Sequence, residues 1–310
     1  MPSSVLFVIA CLIWGSTFYA ITLQLGEVAP VVSVVYRFAL ASIVLFGWCL
    51  ARGDKLVPPR KALFWIMLHG FATFGLSYLF TYSSEQYLVS ALVAVLFALM
   101  VFWNPICSRL FFGTPLSLRT YATGSLAVLG VIILFWNSIT ASLNEIMSGG
   151  TGHFLLGLGM ALMATICSTV GNTLVVKARQ HTPNVLLTMA WGMLFGTLLS
   201  TSWAVITGAS FALPTAPKYW GGLLYLSLFG SVIAFACYFT LIHRLGTQKA
   251  VYIGVVTPVI SVLLSIRLEN FRPGPLEWLG MALCLSSVAW ALRTPGTPAA
   301  SQNLTLKKAS

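Results

Sequence analysis

Apolar residues run along this chain in blocks separated by short polar breaks, and the blocks recur from one end to the other. An apolar run of about 20 residues spans the hydrocarbon core of a bilayer as a helix. The pattern predicts ten such spans, near residues 4–24, 31–51, 62–84, 89–112, 119–137, 154–177, 184–207, 219–243, 248–267 and 275–293. Barrel strands are excluded, because the runs are too long and do not alternate polar with apolar. The expected fold is therefore an all-α polytopic membrane protein of ten transmembrane helices, with no soluble domain.

Two stretches look alike. In the first half "YLVSALVAVLFALMVFWNPICSRLFF" leads to "RTYATGSLAVLGVIILFW", and in the second "RLGTQKAVYIGVVTPVISVLLSIRLENF" leads to "LEWLGMALCLSSVAWAL". Each is a polar turn, an apolar helix with one proline (Pro105, Pro258), a break, and a last helix in which Gly124 and Gly130 correspond to Gly280 and Ser286. The expected organisation is a first five-helix repeat at 1–138, a connecting loop at 139–153, a second repeat at 154–293 and a tail at 294–310. An odd number of spans per repeat inserts the second unit upside down, the arrangement that lets a central site face each side in turn.

Composition agrees with a bilayer: 58% of residues are hydrophobic and 7% charged, and the mean hydropathy is +0.91. The net charge of +11 points to nucleic acid only in a soluble chain. With ten alternating spans, thirteen of the seventeen basic residues fall on one side, and Lys218, Arg267 and Arg272 on the other. The positive-inside rule then makes both termini cytoplasmic. The first span has no basic leader or small-residue cleavage site and reads as a retained helix.

All six cysteines lie within the predicted spans without CxxC spacing, and the four histidines form no ligand motif, so neither metal nor cofactor is implied. The absence of a GxxxxGK[ST] loop removes ATP use. No carboxylate sits at a helix centre, which favours a carrier running down its substrate's own gradient and leaves coupling through a histidine or a backbone cation site open. An intramembrane lipid enzyme would need clustered His, Asp, Glu or Cys, which the chain lacks. A lipid scramblase would not need an enclosed polar chamber. No oligomeric state is legible.

The candidate chamber residues are polar or aromatic groups placed inside spans. Trp14 and Thr17 lie in the first, Tyr78 and Tyr82 in the third, Ser168 and Asn172 on a stripe with Thr165, Thr169 and Thr173 in the sixth, Trp191 in the seventh, Tyr238 in the eighth and Tyr252 in the ninth. Mid-span tyrosines and tryptophans need a partner or water for their polar tips and can hold an aromatic ring or a cation. The stripe also fits ordinary interhelical packing, as do Gly192 and Gly196. Pro105 and Pro258 leave the carbonyls of Val101 and Gly254 without their helical donor, so Pro105, Gly254 and Pro258 are candidate hinges.

Arg37 stands deeper inside a span than any other arginine or lysine. Seven residues beyond Pro30, it stands about 10 Å along the second helix, where a guanidinium must face the bundle interior. One reading pairs it with helix-end carbonyls, Glu27 or Glu85. The other uses its planar fork to hold a substrate carboxylate.

The order of "IWGSTFYA", "YRFALAS" and "TPVISVLLSIRLENF", taken with the repeats, resembles the drug/metabolite transporter superfamily, EamA type, over roughly residues 4 to 293. Aromatic content places the resemblance nearest the amino-acid exporters. It implies an alternating-access exporter in a bacterial inner membrane, handling small molecules, most of all aromatic or apolar amino acids, with cationic drugs as the alternative. Two features depart from the family pattern. Glu269 follows the second proline-bearing helix, whereas the first has "FFGTPLS", and the first unit carries four more residues between its polar turn and Pro105.

Overall fold

The computed structural model describes residues 2–113, 115, 118–149, 152–245 and 253–292. Among them are twelve helices and no strand. They are α1 (Ser3–Thr22), α2 (Pro30–Ala51), α3 (Arg60–Ser84), α4 (Ser90–Ala98), α5 (Met100–Phe112), α6 (Leu118–Leu134), α7 (Trp136–Met147), α8 (His153–Arg179), α9 (Val185–Ile206), a continuous α10 (Pro217–Leu224, Tyr225–Ile233 and Ala234–Leu245), α11 (Ile253–Leu268) and α12 (Pro275–Leu292). Six are long and apolar enough to cross a membrane, and eight if each of two bent pairs is one span. Prolines open several helices, where a missing N–H costs nothing: Pro30 and Pro217 occupy the first turns of α2 and α10. Asn184 caps α9, its side chain accepting from Leu187 N at 3.1 Å.

Two sequence expectations need correction. The fourth span, expected over 89–112 with its candidate hinge at Pro105, bends by 41° between α4 and α5. The break is at Leu99, ahead of the proline-freed carbonyl of Val101, and Pro105 itself lies inside α5. The 139–153 segment, expected to be a loop, is largely helical, because α7 turns 63° away from α6. Its Trp136, Leu143, Ile146 and Met147 are exposed while Ile139 packs on the core. That apolar spacing fits a helix lying at a membrane surface.

Helix pairing follows from which backbones can touch. Lipid offers no hydrophobic gain for helix association, so close approach at small residues supplies the dispersion contacts. A Cβ on Gly280 would lie 2.4 Å from Leu134 N, and one on Gly130 would lie 2.8 Å from Cys284 Sγ. There α6 and α12 run antiparallel, with Arg119 reaching the Trp290 carbonyl at 2.6 Å. A Cβ on Gly171 of α8 would meet Thr73 of α3, and Ser77 Oγ donates to Ala164 O at 2.8 Å. Gly70 meets the Gly192 carbonyl and Gly196 meets Phe74, joining α3 to α9. Gly15 of α1 abuts Ile260 of α11.

The principal neighbours are α2 with α9, α6 with α12, α4 with α11, α3 with α8 and α9, and α10 with α1 and α2; α1 also packs on α11, and α8 on α5. Contacts put residues 23–29, 85–89, 207–216 and 269–274 at one end of the bundle. Glu27, Glu85 and Glu269 make this the acidic end. Trp191 Nε1 reaches Leu56 O at 2.7 Å at the opposite, basic end.

Both α3 and α10 widen midway into i→i+5 hydrogen bonding, over Phe71–Ser77 and Tyr225–Ile233. Each widened turn contains a Phe-Gly pair, Phe74-Gly75 and Phe229-Gly230. Such bulges gather at functional sites.

Overpacking a tight crossing costs about 1–3 kcal/mol. Gly280→Val is expected to lower the thermal unfolding midpoint of the detergent-purified protein. Gly47→Ala, at a helical site with nothing within 4 Å of the added carbon, is expected to leave it unchanged or raise it. Intrinsic-fluorescence melting of both variants checks the pair.

Candidate functional site

Arg37 is the largest fully buried side chain, with 1% of its surface exposed. Its Nε donates to Ser231 Oγ on α10 at 3.1 Å and its Nη1 to Tyr82 on α3 at 3.4 Å. Tyr82 in turn donates to Gln24 Oε1, two residues past the end of α1, at 2.9 Å. The guanidinium carbon lies 4.7 Å from the centre of the Tyr78 ring and 5.2 Å from that of Phe38, within cation–π range. The widened turn of α10 makes room for this group. A Cβ on Gly230 would stand 2.9 Å from Thr17 Cγ2 and 3.2 Å from Arg37 Nη2, so only glycine fits. Ser231 Oγ closes onto Leu226 O, five residues back, at 3.0 Å.

No carboxylate oxygen among the described residues lies within ion-pair distance of Arg37. The expected pairings with Glu27 and Glu85 are therefore not made, nor does Arg37 bond helix-end carbonyls. Its partners are a hydroxyl and a phenol. A buried cation compensated only by neutral groups carries an uncancelled desolvation cost.

From Arg37 an aromatic chain runs toward the basic end. Tyr78 packs on Phe38 at 4.7 Å, Phe38 on Phe74 at 5.2 Å, Phe74 on Phe235 at 5.6 Å, Phe235 on Trp14 at 5.1 Å, and Trp14 on Tyr238 at 5.1 Å. Trp14 Nε1 donates to Gly230 O at 3.2 Å. The fold thus brings together Trp14, Thr17, Arg37, Tyr78, Tyr82 and Tyr238 of the residues singled out in the sequence. In this arrangement rings fill the space next to Arg37, where the sequence pattern suggests a solvated chamber.

The other candidates stand apart. Trp191 packs on Phe46 and Phe195 at the basic end. Thr165, Thr169 and Thr173 are buried and donate to carbonyls of their own helix. Ser168 and Asn172 are half-buried and make no contact with the Arg37 cluster among the described residues. Tyr252 lies outside the described residues. Gly254 and Pro258 lie in α11, which is unbroken, and a Cβ on Gly254 would meet nothing within 4 Å. A groove of ≈470 Å³ lies between α5 and α6, lined by Leu99, Trp103 and Tyr121 among others, away from Arg37.

Sequence reasoning missed Gln24 and Gly230, whereas Ser231 is legible as a polar residue inside the eighth span. The repeated Phe-Gly pair in the third and eighth spans is the signal that points to Gly230. Gln24, at the end of a span, looks like an ordinary interfacial residue.

The family model described as "EamA-like transporter family" matches this chain twice, over residues 1–136 and 155–293. The chain is 28% identical over 280 residues to the "Uncharacterized inner membrane transporter YedA" of Escherichia coli K12, covering 89% of this chain and 86% of the relative. It is 26% identical over 267 residues to "Protein PagO" of Salmonella typhimurium LT2, covering 84% and 83%. Identity is 25% over 284 residues to the "S-adenosylmethionine/S-adenosylhomocysteine transporter" of Chlamydia trachomatis serovar L2, covering 86% and 83%. A solved crystal structure shares the fold with a TM-score of 0.64 at 19% identity, over 93% of this chain and 96% of that one.

Removing one partner from a buried hydrogen bond costs about 1–3 kcal/mol. Tyr82→Phe orphans Gln24 Oε1 and is expected to lower the melting midpoint. Arg37→Met removes an unpaired buried charge and is expected to leave the midpoint unchanged or raise it, the opposite of what a structural ion pair would show. Melting of both variants in the same detergent checks the contrast.

Proposed function

The chain belongs to the EamA-like transporter family and is a multi-pass inner-membrane protein, and on that premise we propose that it exports small metabolites carrying a carboxylate and an aromatic or apolar side chain by alternating access. The observation that carries this reading is the buried, ion-pair-free guanidinium of Arg37 at one end of a chain of aromatic rings. An arginine fork recognises a carboxylate with two parallel donors, and the adjoining rings suit a flat apolar side chain. Trp14, Thr17, Arg37, Tyr78, Tyr82 and Tyr238 would line the path, with Ser168, Asn172 and Trp191 further along it.

The proposed architecture is ten spans in two inverted repeats with cytoplasmic termini. Helix pairing supports it. Let α1, α2, α3, α4–α5 and α6 correspond to α8, α9, α10, α11 and α12. The pairs α2–α9, α4–α11 and α6–α12 then map onto themselves, α3–α8 exchanges with α10–α1, and α3–α9 exchanges with α10–α2. The widened turns of α3 and α10 occupy equivalent places. The family model's two matches divide the chain at the same linker. Arg52, Lys55, Arg60 and Lys61 lie at the end opposite Glu85 and Glu269, which supports reading that end as the cytoplasmic one. Pro105, Gly254 and Pro258, with the bend at Leu99, are the places where the two halves would change shape.

A second reading rests on the S-adenosylmethionine relative. That ligand class also carries a carboxylate, together with an aromatic base and a cationic sulfonium that ring faces attract. Proteoliposomes loaded with labelled phenylalanine, tryptophan, threonine, S-adenosylmethionine or a dicationic drug separate the readings. The expected result is saturable flux of the aromatic amino acids. Arg37→Gln is expected to weaken apparent affinity about ten- to a hundredfold, the value of a charge-assisted bond of about 1.5–3 kcal/mol. Flux of S-adenosylmethionine alone supports the second reading, and carboxylate flux indifferent to Arg37 overturns both.

A further inference from the structure

The acidic end of the bundle holds a second buried polar cluster, beside Arg37 and unused by the substrate reading. Glu85 follows the last residue of α3 and Glu269 the last residue of α11. Glu269 Oε2 accepts from both Ser90 Oγ and Ser265 Oγ, which are themselves 3.0 Å apart, and Glu269 Oε1 lies 3.5 Å from Ser90 N. These contacts clasp α4 to α11, one element from each half of the chain. Glu85 has the opposite surroundings. It is 5% exposed, and neither of its carboxyl oxygens has a hydrogen-bond partner among the described residues. The side-chain nitrogen of Gln24, fully buried nearby in the Tyr82 network, is also unpartnered.

Two carboxyl groups in unlike environments divide the work of holding charge. Glu269 has donors enough for an ionised carboxylate. Glu85 has none, and an isolated buried carboxylate is costly enough that such a group takes up a proton instead. We propose that Glu85, opposite Glu269, is a proton-linked latch of the outer gate: it takes up one proton from the outer water as the acidic end closes and returns it to that water when the α4–α11 clasp opens.

The groups facing this site are few. Arg37 comes from α2, Tyr82 from α3 and Glu269 from the end of α11, while His153 of α8 stacks on Tyr87 two residues away. Burial first, then the Glu269 carboxylate, pushes the Glu85 carboxyl well above the usual carboxylate range, and the Arg37 guanidinium opposes them. The sign follows from linkage. A carboxyl whose affinity for protons is higher in the closed form favours that form at low pH. Raising the pH through the elevated value leaves a buried charge and drives opening. Proton release would then accompany exposure of Arg37 to the outer side, joining the two clusters in one step.

Infrared spectroscopy of the purified full chain in nanodiscs reads this without any substrate. The wild type is expected to show the carbonyl-stretch band of a protonated carboxyl group at neutral pH, and Glu85→Gln to lose it. In Glu269→Gln the band is expected to persist but to titrate at lower pH, because the neighbouring negative charge is gone. This second variant decides the matter if the first does not fold. A wild type without the band at neutral pH overturns the proposal, and a band that appears only when sodium is replaced by choline assigns the site to a metal cation instead. In proteoliposomes acidifying the solution that faces the acidic end is expected to slow tryptophan flux through the wild type but not through Glu85→Gln; flux indifferent to that pH overturns the latch. Absence of tryptophan flux altogether counts against the substrate reading and leaves the infrared result to decide for the proton.

Discussion

Everything in this fold depends on backbones approaching closely across a few glycines. Lipid tails are as apolar as leucine, so burying another leucine between helices gains little, and dispersion at short range has to hold the bundle together. Gly70, Gly171, Gly192 and Gly196 let α3 lie flat against α8 and α9, while Gly130 and Gly280 do the same for α6 and α12. Once α3 is pinned, Tyr78 and Tyr82 have no choice of direction. They roof a guanidinium that α2 brings from the other side. Gly230 completes the fit by omitting the one carbon that would displace Arg37.

The broad architecture was legible because the bilayer makes it so. Spans must be helical and must be about 20 residues long, and an apolar block of that length has few other fates. Arg37, Trp14 and Tyr82 were legible for a related reason, since a polar tip in an apolar block has to be explained by something inside the bundle. What escaped was whatever depends on neighbours distant in the chain. Trp191 and Trp14 look equivalent along the sequence, yet one donates to a loop carbonyl at the basic end and the other to Gly230. The threonine stripe of α8 reads as a polar wall until its hydroxyls are seen bonding their own helix. Its proline marked α5 for a bend, but the break falls at Leu99, a turn and a half earlier.

The two polar clusters at the acidic end differ in kind. One is a cation without an anion, and the other contains a carboxyl without a donor. They do not cancel each other by forming a bridge, although both are buried at the same end of the molecule. A protein selected only for stability would have replaced either with apolar side chains of similar volume. Keeping them apart and unsatisfied leaves each free to respond to something that arrives from outside, a ligand in one case and a proton in the other.

Over its described residues, Ile253–Leu268, α11 is a single rod that carries Pro258, while α4 and α5 bend at Leu99. Two halves of identical shape would make the conformers open to either face equal in energy, and the empty carrier would idle without preference. Here the first half carries four more residues between its polar turn and its proline than the second, so the two conformers differ in energy and the unloaded molecule would have a resting side. Such a bias cannot create a gradient, but it determines which face recovers first after each turnover, and so how fast the same carrier runs in its two directions.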